Sequence, residues 1–475
     1  MPDHGHRMAS SLAFDPAQRA ADDLAGVWLA RHLSALPSCL VASPAFRRRS
    51  PDMSPVAVSA GSIQRILIVS HYFPPEVGAP QTQLSALAAA WASDGDSVTV
   101  LTGMPNYPTG VLPPEYRRVI RRREQQDGYS IVRTWLYATP NQGIARKTLS
   151  HLSFMVSSVL LGGRACGRAD TVVVSSPTFF AIGSGWLLAR LKRARFVVEV
   201  RDLWPAIFAE LGVLTNRRII GLLERLELAA YAAADQVVVV SDGFRANLID
   251  RGVPADKVHT IRNGVTPERF RTGLTESARQ EIRTRLGAGP DDCLVLYAGT
   301  HGISQALPTV ADAAALLRGK AIRFAFVGEG SDKASLERRV GELGLDNVVM
   351  APAVPLDQMP GLLDAADICL VPLRDVPLFA TFIPSKMFEY LAAGKAVVGS
   401  VTGEAAQILR EADAIVVRPE DDGALADAVG ALAADPARRA AIGQRGRMYV
   451  ERFFDRAELA REYRKILDNP RDGDR

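Results

Sequence analysis

Three short segments carry side chains suited to handling anions and hydroxyl groups. In Pro384-Ser385-Lys386-Met387-Phe388-Glu389-Tyr390-Leu391-Ala392-Ala393-Gly394 a lysine and a glutamate stand three residues apart, which on a helix puts them on adjacent faces. The ammonium of Lys386 is a candidate cation for a phosphate, against the plainer reading of a surface lysine. Phe388 and Tyr390 flank Glu389 and point to partial burial, which obliges its carboxylate to find a hydrogen-bonding partner; otherwise it is a solvated helix residue. In Arg201-Asp202-Leu203-Trp204-Pro205 the aspartate falls just past an apolar run. There it could orient or deprotonate a hydroxyl, or simply pair with Arg201 or cap a turn. Third, the loop Phe73-Pro74-Pro75-Glu76-Val77-Gly78-Ala79 precedes a helix. Gly78, having no side chain, lets backbone approach a phosphate at the helix N-terminus, or serves only as a turn.

These segments need a scaffold, and the hydrophobic pattern supplies one. Ile66–Val69 is a continuous apolar run, followed by a loop, a helical pattern near 82–91 and the strand-like Ser97–Leu101. This βαβ unit predicts a parallel sheet with its ligand edge at the carboxyl ends of the strands. The alternation continues through strands near 131–134, 171–175, 196–200 and 236–240, and a second series follows at 294–298, 324–327, 347–350, 368–372, 396–399 and 414–417. The fold class expected is α/β, two doubly wound Rossmann-like domains facing across a cleft. The boundaries expected are a disordered extension over 1–63, a first domain over 64–262, a second over 263–452, and over 453–475 a helix returning to the first domain, then a tail. A hinge is expected near Asn263, in Asn263-Gly264-Val265.

Composition excludes several classes of function. The 475 residues carry 56 Lys plus Arg against 52 Asp plus Glu, a formal charge of +4, too slight to read as nucleic-acid binding. Cys39, Cys166, Cys293 and Cys369 lie far apart with no CxxC, arguing against structural zinc or a disulfide framework and for a reduced, cytoplasmic protein. The apolar span 171–189 breaks at Ser175-Ser176-Pro177 and holds Gly183 and Gly185, so strand, turn and helix fit it better than a membrane span. His151–Gly163 is too short to span and reads as a buried helix or as one lying in a membrane interface. Arg117-Arg118-Val119-Ile120-Arg121-Arg122-Arg123 is a solvated charge run or a surface for anionic lipid headgroups.

Taken in order, His71-Tyr72-Phe73-Pro74-Pro75-Glu76-Val77-Gly78-Ala79, Glu199–Pro205, Asn263-Gly264-Val265 and Pro384–Gly394 give the chain a family resemblance. It resembles the GT-B retaining glycosyltransferases of family 4, and within them the bacterial amino-sugar transferases of surface-polysaccharide assembly typified by N-acetyl-fucosamine transferases. The resemblance implies transfer of a sugar, an N-acetylated hexosamine or deoxyhexosamine, from a UDP-sugar held by the second domain to a lipid-linked or glycan acceptor held by the first. No cofactor beyond the donor substrate and no metal are expected, and the arginine run with the His151–Gly163 segment motivates attachment to the inner face of an anionic membrane. By the same resemblance Glu389 takes the ribose hydroxyls, Lys386 and Asp202 are the chemical residues, and Gly78, Asn263, His301, Gly302, Gly328, Ser385, Lys386 and Glu404 join Glu389 around the nucleotide sugar.

The chain also departs from that family. The usual first glutamate, eight residues before Glu389, is Thr381, and the loop Gly299-Thr300-His301-Gly302-Ile303-Ser304-Gln305 lacks the Arg and Lys that meet the leaving diphosphate in many relatives. His301 and the amide of Gly302 are the candidates to replace them, with a plain turn histidine as the alternative. Gly328-Glu329-Gly330-Ser331 lines the base or is a tight turn, and Gly403-Glu404 opens a helix whose amides face the cleft. Asp94-Gly95-Asp96 imitates a metal-binding DxD but falls at the amino edge of the sheet, as a turn. Two other readings are open: a GT-B UDP-N-acetylglucosamine 2-epimerase, and a non-catalytic nucleotide-sugar-binding subunit.

Overall fold

The computed structural model describes residues 63–107, 109–139, 144–176, 179–212 and 214–468. The extension expected over 1–63 lies, Ile63 apart, outside the described residues. In the first domain β1 (Arg65–Val69), β2 (Ser97–Gly103), β3 (Arg121–Gln126), β4 (Tyr129–Thr134), β5 (Thr171–Ser175), β6 (Arg195–Val200), β7 (Gln236–Val239) and β8 (Val258–Thr260) form one sheet. Its order is β3-β4-β2-β1-β5-β6-β7-β8, parallel throughout except for the antiparallel edge pair β3 and β4. The second domain follows with β9 (Cys293–Ala298), β10 (Ile322–Val327), β11 (Val348–Ala351), β12 (Ile368–Pro372), β13 (Ala396–Ser400) and β14 (Ile415–Val417), ordered β11-β10-β9-β12-β13-β14 and parallel in every pair. Both sheets therefore start in the middle and reverse direction once, between β1 and β5 and between β9 and β12. The crevice at that reversal, beyond the carboxyl ends, is where an open α/β sheet takes its ligand.

Continuous apolar strands make this possible because both faces of each sheet are covered by helices. In β1, Leu67 and Val69 pack into one core and Ile66 and Ile68 into the opposite one. In β9, Leu294, Leu296 and Ala298 face one core while Cys293, Val295 and Tyr297 face the other. Two strands have no such pattern and lie outside the sequence expectation. β3 reads RRREQQ, so the arginine run belongs in part to an edge strand, where charge keeps an unpaired edge from recruiting other strands. β8 has only three residues.

The chain crosses between the domains twice, side by side. Val265 pairs with Asp455 as an isolated parallel bridge; the Val265 amide donates to the Phe454 carbonyl and the Arg456 amide to the Val265 carbonyl, each at 2.9 Å. Gly264 must be small here, since a Cβ would stand 2.6 Å from the Phe454 oxygen. Helix Arg456–Asp468 then lies on the first domain: Leu459, Ala460, Tyr463, Ile466 and Leu467 join the core with Ile66 and Leu84, and Trp91 Nε1 donates to the Ala460 carbonyl at 2.9 Å.

A second set of contacts ties the carboxyl-end loops of the two sheets to each other. Ser241 Oγ donates to the Thr381 carbonyl at 2.7 Å, and Phe244 meets Phe382 with ring centres 5.1 Å apart. One oxygen of Glu404 accepts from the amides of Asp242 and Gly243 at 2.8 and 3.2 Å, at the start of helix Asp242–Asp250; the other takes Arg262 Nε at 2.7 Å. The two ligand edges thus face one another across a cleft fixed on one side by the chain crossings and on the other by this latch.

Candidate functional site

On the second domain the site is built by helix Lys386–Ala392, which follows β12 and lies against the end of β9. Tyr390 fixes it there, its hydroxyl donating to the Ala298 carbonyl at 2.8 Å and accepting from the Ala298 amide at 3.0 Å. One turn earlier, Lys386 lays its ammonium over the Tyr297 ring, Nζ 3.7 Å from the centroid, and donates to the Tyr297 hydroxyl. That ammonium forms no ion pair among the described residues, and burial lowers its pKa to about 7, with the Glu389 charge only partly offsetting it. Its Nζ stands 3.0 Å from where a Gly299 Cβ would be. The loop 299–305, which carries no Arg or Lys, is therefore met by an ammonium from the helix.

Around Lys386 the backbone is packed too tightly for side chains. Gly328 has φ of +154°, and a Cβ on it would sit 1.9 Å from the Gly299 oxygen, so the loops after β9 and β10 touch backbone to backbone. His301 is pinned between them: its amide donates to the Glu329 carbonyl and its own carbonyl accepts from the Asp332 amide, each at 2.9 Å. The ring is fully buried against Tyr297 and Phe326, with neither nitrogen hydrogen-bonded. Burial, then Lys333 and Lys386, hold its pKa near 4, so it is a neutral group in the unliganded protein. The amide of Gly302, expected to meet the diphosphate, is already engaged with Gln305 Oε1 at 3.0 Å.

Glu389 is half-buried, and its carboxylate accepts no hydrogen bond among the described residues. Burial raises its pKa, while Arg456, Arg269 and Lys386 pull it back down. Arg456, from the returning helix, spans the hinge by donating to the Gly264 carbonyl at 2.7 Å, to Gln83 Oε1 at 3.0 Å and to Thr266 Oγ1 at 3.2 Å. Sequence reasoning missed Arg456, Arg269 and Tyr297, because each reaches the site through tertiary packing rather than through a local motif. Ser385 is the cap of helix Lys386–Ala392 but makes no side-chain capping bond.

On the first domain Asp202 lies two residues beyond β6. Arg201 bonds Glu199 at 3.3 Å and Asn263 Oδ1 at 2.7 Å, not Asp202, so the local ion pair does not form. Burial raises the Asp202 pKa, and Arg201 lowers it less; a carboxylate with raised pKa and no hydrogen bond among the described residues is available to a hydroxyl. Gly78 caps helix Ala79–Ser93 with extended backbone and no side-chain cap, and Gln81 Oε1 lies over it, 2.4 Å from where a Gly78 Cβ would be. The Glu404 carboxylate accepts from the amides that open helix Asp242–Asp250 and from Arg262, and the Asn263 side-chain Oδ1 accepts from Arg201 at the hinge.

The two domains have known counterparts. Residues 78–264 match the family model "Glycosyl transferase 4-like domain", and residues 292–435 match "Glycosyl transferases group 1". The chain is built from the two domains of a GT-B glycosyltransferase. It is 28% identical over 410 residues, 84% of this chain and 98% of the relative, to a protein of Escherichia coli (strain K12) named for colanic acid biosynthesis, the glycosyl transferase WcaI. It is 26% identical over 206 residues, 43% of this chain and 50% of the relative, to one of Bacillus subtilis (strain 168) named for teichuronic acid biosynthesis, TuaH. Among solved structures, HepE of Anabaena in complex with UDP-glucose superposes with a TM-score of 0.64 at 18% identity, over 85% of this chain and 99% of that one. WaaG, a glycosyltransferase involved in lipopolysaccharide biosynthesis, does so at 0.61 and 16%, over 85% and 100%; these two likenesses establish the fold. Both matched models are transferase domains, so the epimerase and binding-subunit readings are not carried further.

Proposed function

We propose that this GT-B glycosyltransferase moves a sugar with retention from a UDP-sugar to a lipid-linked or glycan acceptor in cell-surface polysaccharide assembly, the sugar being an N-acetylated hexosamine or deoxyhexosamine. The observation that carries the donor half is Lys386. An ammonium buried enough to titrate near 7, in no ion pair among the described residues and close to bare backbone, lacks the partner that a diphosphate supplies. In this reading Lys386 stabilises the departing diphosphate, Glu389 accepts from the ribose hydroxyls, and Asp202 orients the acceptor hydroxyl. Rate comes from positioning and from charge placed where the diphosphate leaves. No metal takes part in this proposal. The names of WcaI and TuaH support polysaccharide assembly as the setting.

Membrane attachment belongs to the same proposal. No helix among the described residues is long and apolar enough to cross a membrane. Helix Ile144–Ser157 and the π-helical Ser158–Gly162 nevertheless expose Leu149, Val156 and Leu160, and helix Phe179–Lys192 beside them exposes Trp186 and Leu191, the last at 67%. Arg190 and Lys192 stand on that second helix, giving an apolar face with basic neighbours that fits the interface of an anionic bilayer.

The test is release of UDP from a panel of UDP-sugars, with and without a polyprenyl-diphosphate sugar acceptor, for the wild type and Glu389→Ala. Acceptor-dependent release that disappears in the variant supports the reading and identifies the donor. Interconversion of a UDP-sugar without release refutes it, and so does failure of every donor to turn over despite UDP binding.

A further inference from the structure

The first domain carries a second group of uncompensated basic side chains, at the reversal between β1 and β5. His71 follows β1; its ring is 1% exposed and neither nitrogen has a hydrogen-bond partner. It lies edge-on to Tyr72, His151 and Phe154, with centroids 4.4, 4.6 and 4.8 Å away. The Tyr72 hydroxyl is 3.5 Å from His151 Nε2. Lys147 precedes His151 by one turn on the same face of helix Ile144–Ser157 and is exposed, with no ion pair or hydrogen bond among the described residues. Lys147 at the surface thus stands one helical turn from His151, which packs against the buried His71.

No carboxylate pairs with them among the described residues. Glu76, in the loop after β1, spends one oxygen on the Phe73 amide at 3.1 Å and the other on the amides of Asn106 and Tyr107, both at 2.8 Å. Those bonds tie the loop after β1 to the loop after β2, which holds the Tyr72 and Tyr107 rings 5.4 Å apart at the mouth of the group. Burial, with the Lys147 charge, lowers the pKa of His71 and brings that of His151 to about 4, and Lys147 is also lowered. Burial is the leading cause in all three, and it keeps the two imidazoles neutral.

We propose that Lys147, His151 and the Tyr72 hydroxyl form an acceptor subsite for a phosphoryl group, with His71 behind them and Glu76 as the residue that positions the tyrosines. The proposal deepens the transferase reading and rests on it for the word acceptor: the substrate class becomes a phosphorylated acceptor rather than a neutral glycan. The phosphoryl group can belong to a glycosyl diphospholipid or to a soluble sugar phosphate. The opposite face of the same helix exposes Leu149 and Val156, next to where a lipid headgroup would lie.

The probe is inorganic pyrophosphate, titrated calorimetrically into the full chain with saturating UDP, and repeated on Lys386→Met without UDP so that the donor site cannot contribute. The variants are Lys147→Gln, Lys147→Arg and, as a charge control on the same helix, Arg146→Gln. Binding about tenfold weaker in Lys147→Gln, retained in Lys147→Arg and unchanged in Arg146→Gln supports the subsite, tenfold being the loss expected for one charge-assisted hydrogen bond. Equal affinity in Lys147→Gln and wild type overturns it, as does an equal loss in Arg146→Gln. Failure of UDP to bind would overturn the donor reading, while the Lys386→Met arm still decides the subsite. Flotation with neutral vesicles, with and without a polyprenyl diphosphate, separates the two sources: capture by the diphosphate lipid that Lys147→Gln loses assigns the phosphoryl group to a lipid, and pyrophosphate binding without such capture assigns it to a soluble acceptor.

Discussion

The two sheets of this chain reverse at the same topological point, yet their carboxyl edges are furnished differently. Beyond β9 the backbone comes close: Gly299 and Gly328 meet backbone to backbone with the His301 ring buried behind them, and one ammonium, Lys386, is held on an aromatic face. Beyond β1 the edge is crowded with rings, His71, Tyr72, Tyr107 and His151, braced by the buried Glu76. A bare edge with one fixed cation suits a ligand whose diphosphate must lie close to backbone. A ring-lined edge suits a ligand recognised by shape and by several weak hydrogen bonds. In the proposed reading the equivalent scaffolds divide the work, donor on one side and acceptor on the other, and the difference lies in the loops rather than in the strands.

Breaking the donor edge should have the largest effect. Lys386→Met should lower the turnover number for UDP release by about 10²–10³-fold, as expected for loss of a preorganised charge at the leaving group. Asp202→Asn should sharpen the contrast by lowering turnover about 10²-fold while calorimetry shows UDP affinity unchanged; an equal loss of UDP affinity would place Asp202 on the donor side. Gly328→Ala forces a Cβ into the Gly299 carbonyl and should cost about 1–3 kcal/mol of stability in urea unfolding, with UDP binding weakened as well. Glu404→Gln should be the mildest. It removes charge from the latch but keeps hydrogen-bonding capacity, so a loss of about 1 kcal/mol should appear as a severalfold rise in donor KM with turnover preserved.

Legibility in the sequence followed burial. β1 and β9 could be found because both faces are covered and their residues are apolar without interruption, whereas β3, built of Arg, Glu and Gln at a sheet edge, carries no pattern that separates it from a loop. Lys386, Glu389 and Asp202 could be picked out because they sit in compact motifs. Their partners could not: Tyr297 precedes Lys386 by 89 residues, and Arg456 reaches the Glu389 neighbourhood only because the last helix returns across the hinge. Glu404 was legible as a helix start, but the amides its carboxylate serves belong to the other domain. His71 and His151 lie 80 residues apart, and neither stands in a spacing that signals a site.

The central claim is that Lys386 is the counter-charge of the donor diphosphate, and its titration tests this directly. In the free protein Lys386 ionises at about 7, and a bound diphosphate must raise that value. Donor affinity is therefore full below about pH 7 and declines above it, by up to about tenfold per pH unit, until the pKa of the complex is reached. Calorimetric titration of UDP-N-acetylglucosamine into the full chain between about pH 6.5 and 8.5 should show that decline in the wild type and a weak, pH-independent affinity in Lys386→Met. A wild-type affinity that stays flat over this range, or a decline that survives in Lys386→Met, would contradict the account.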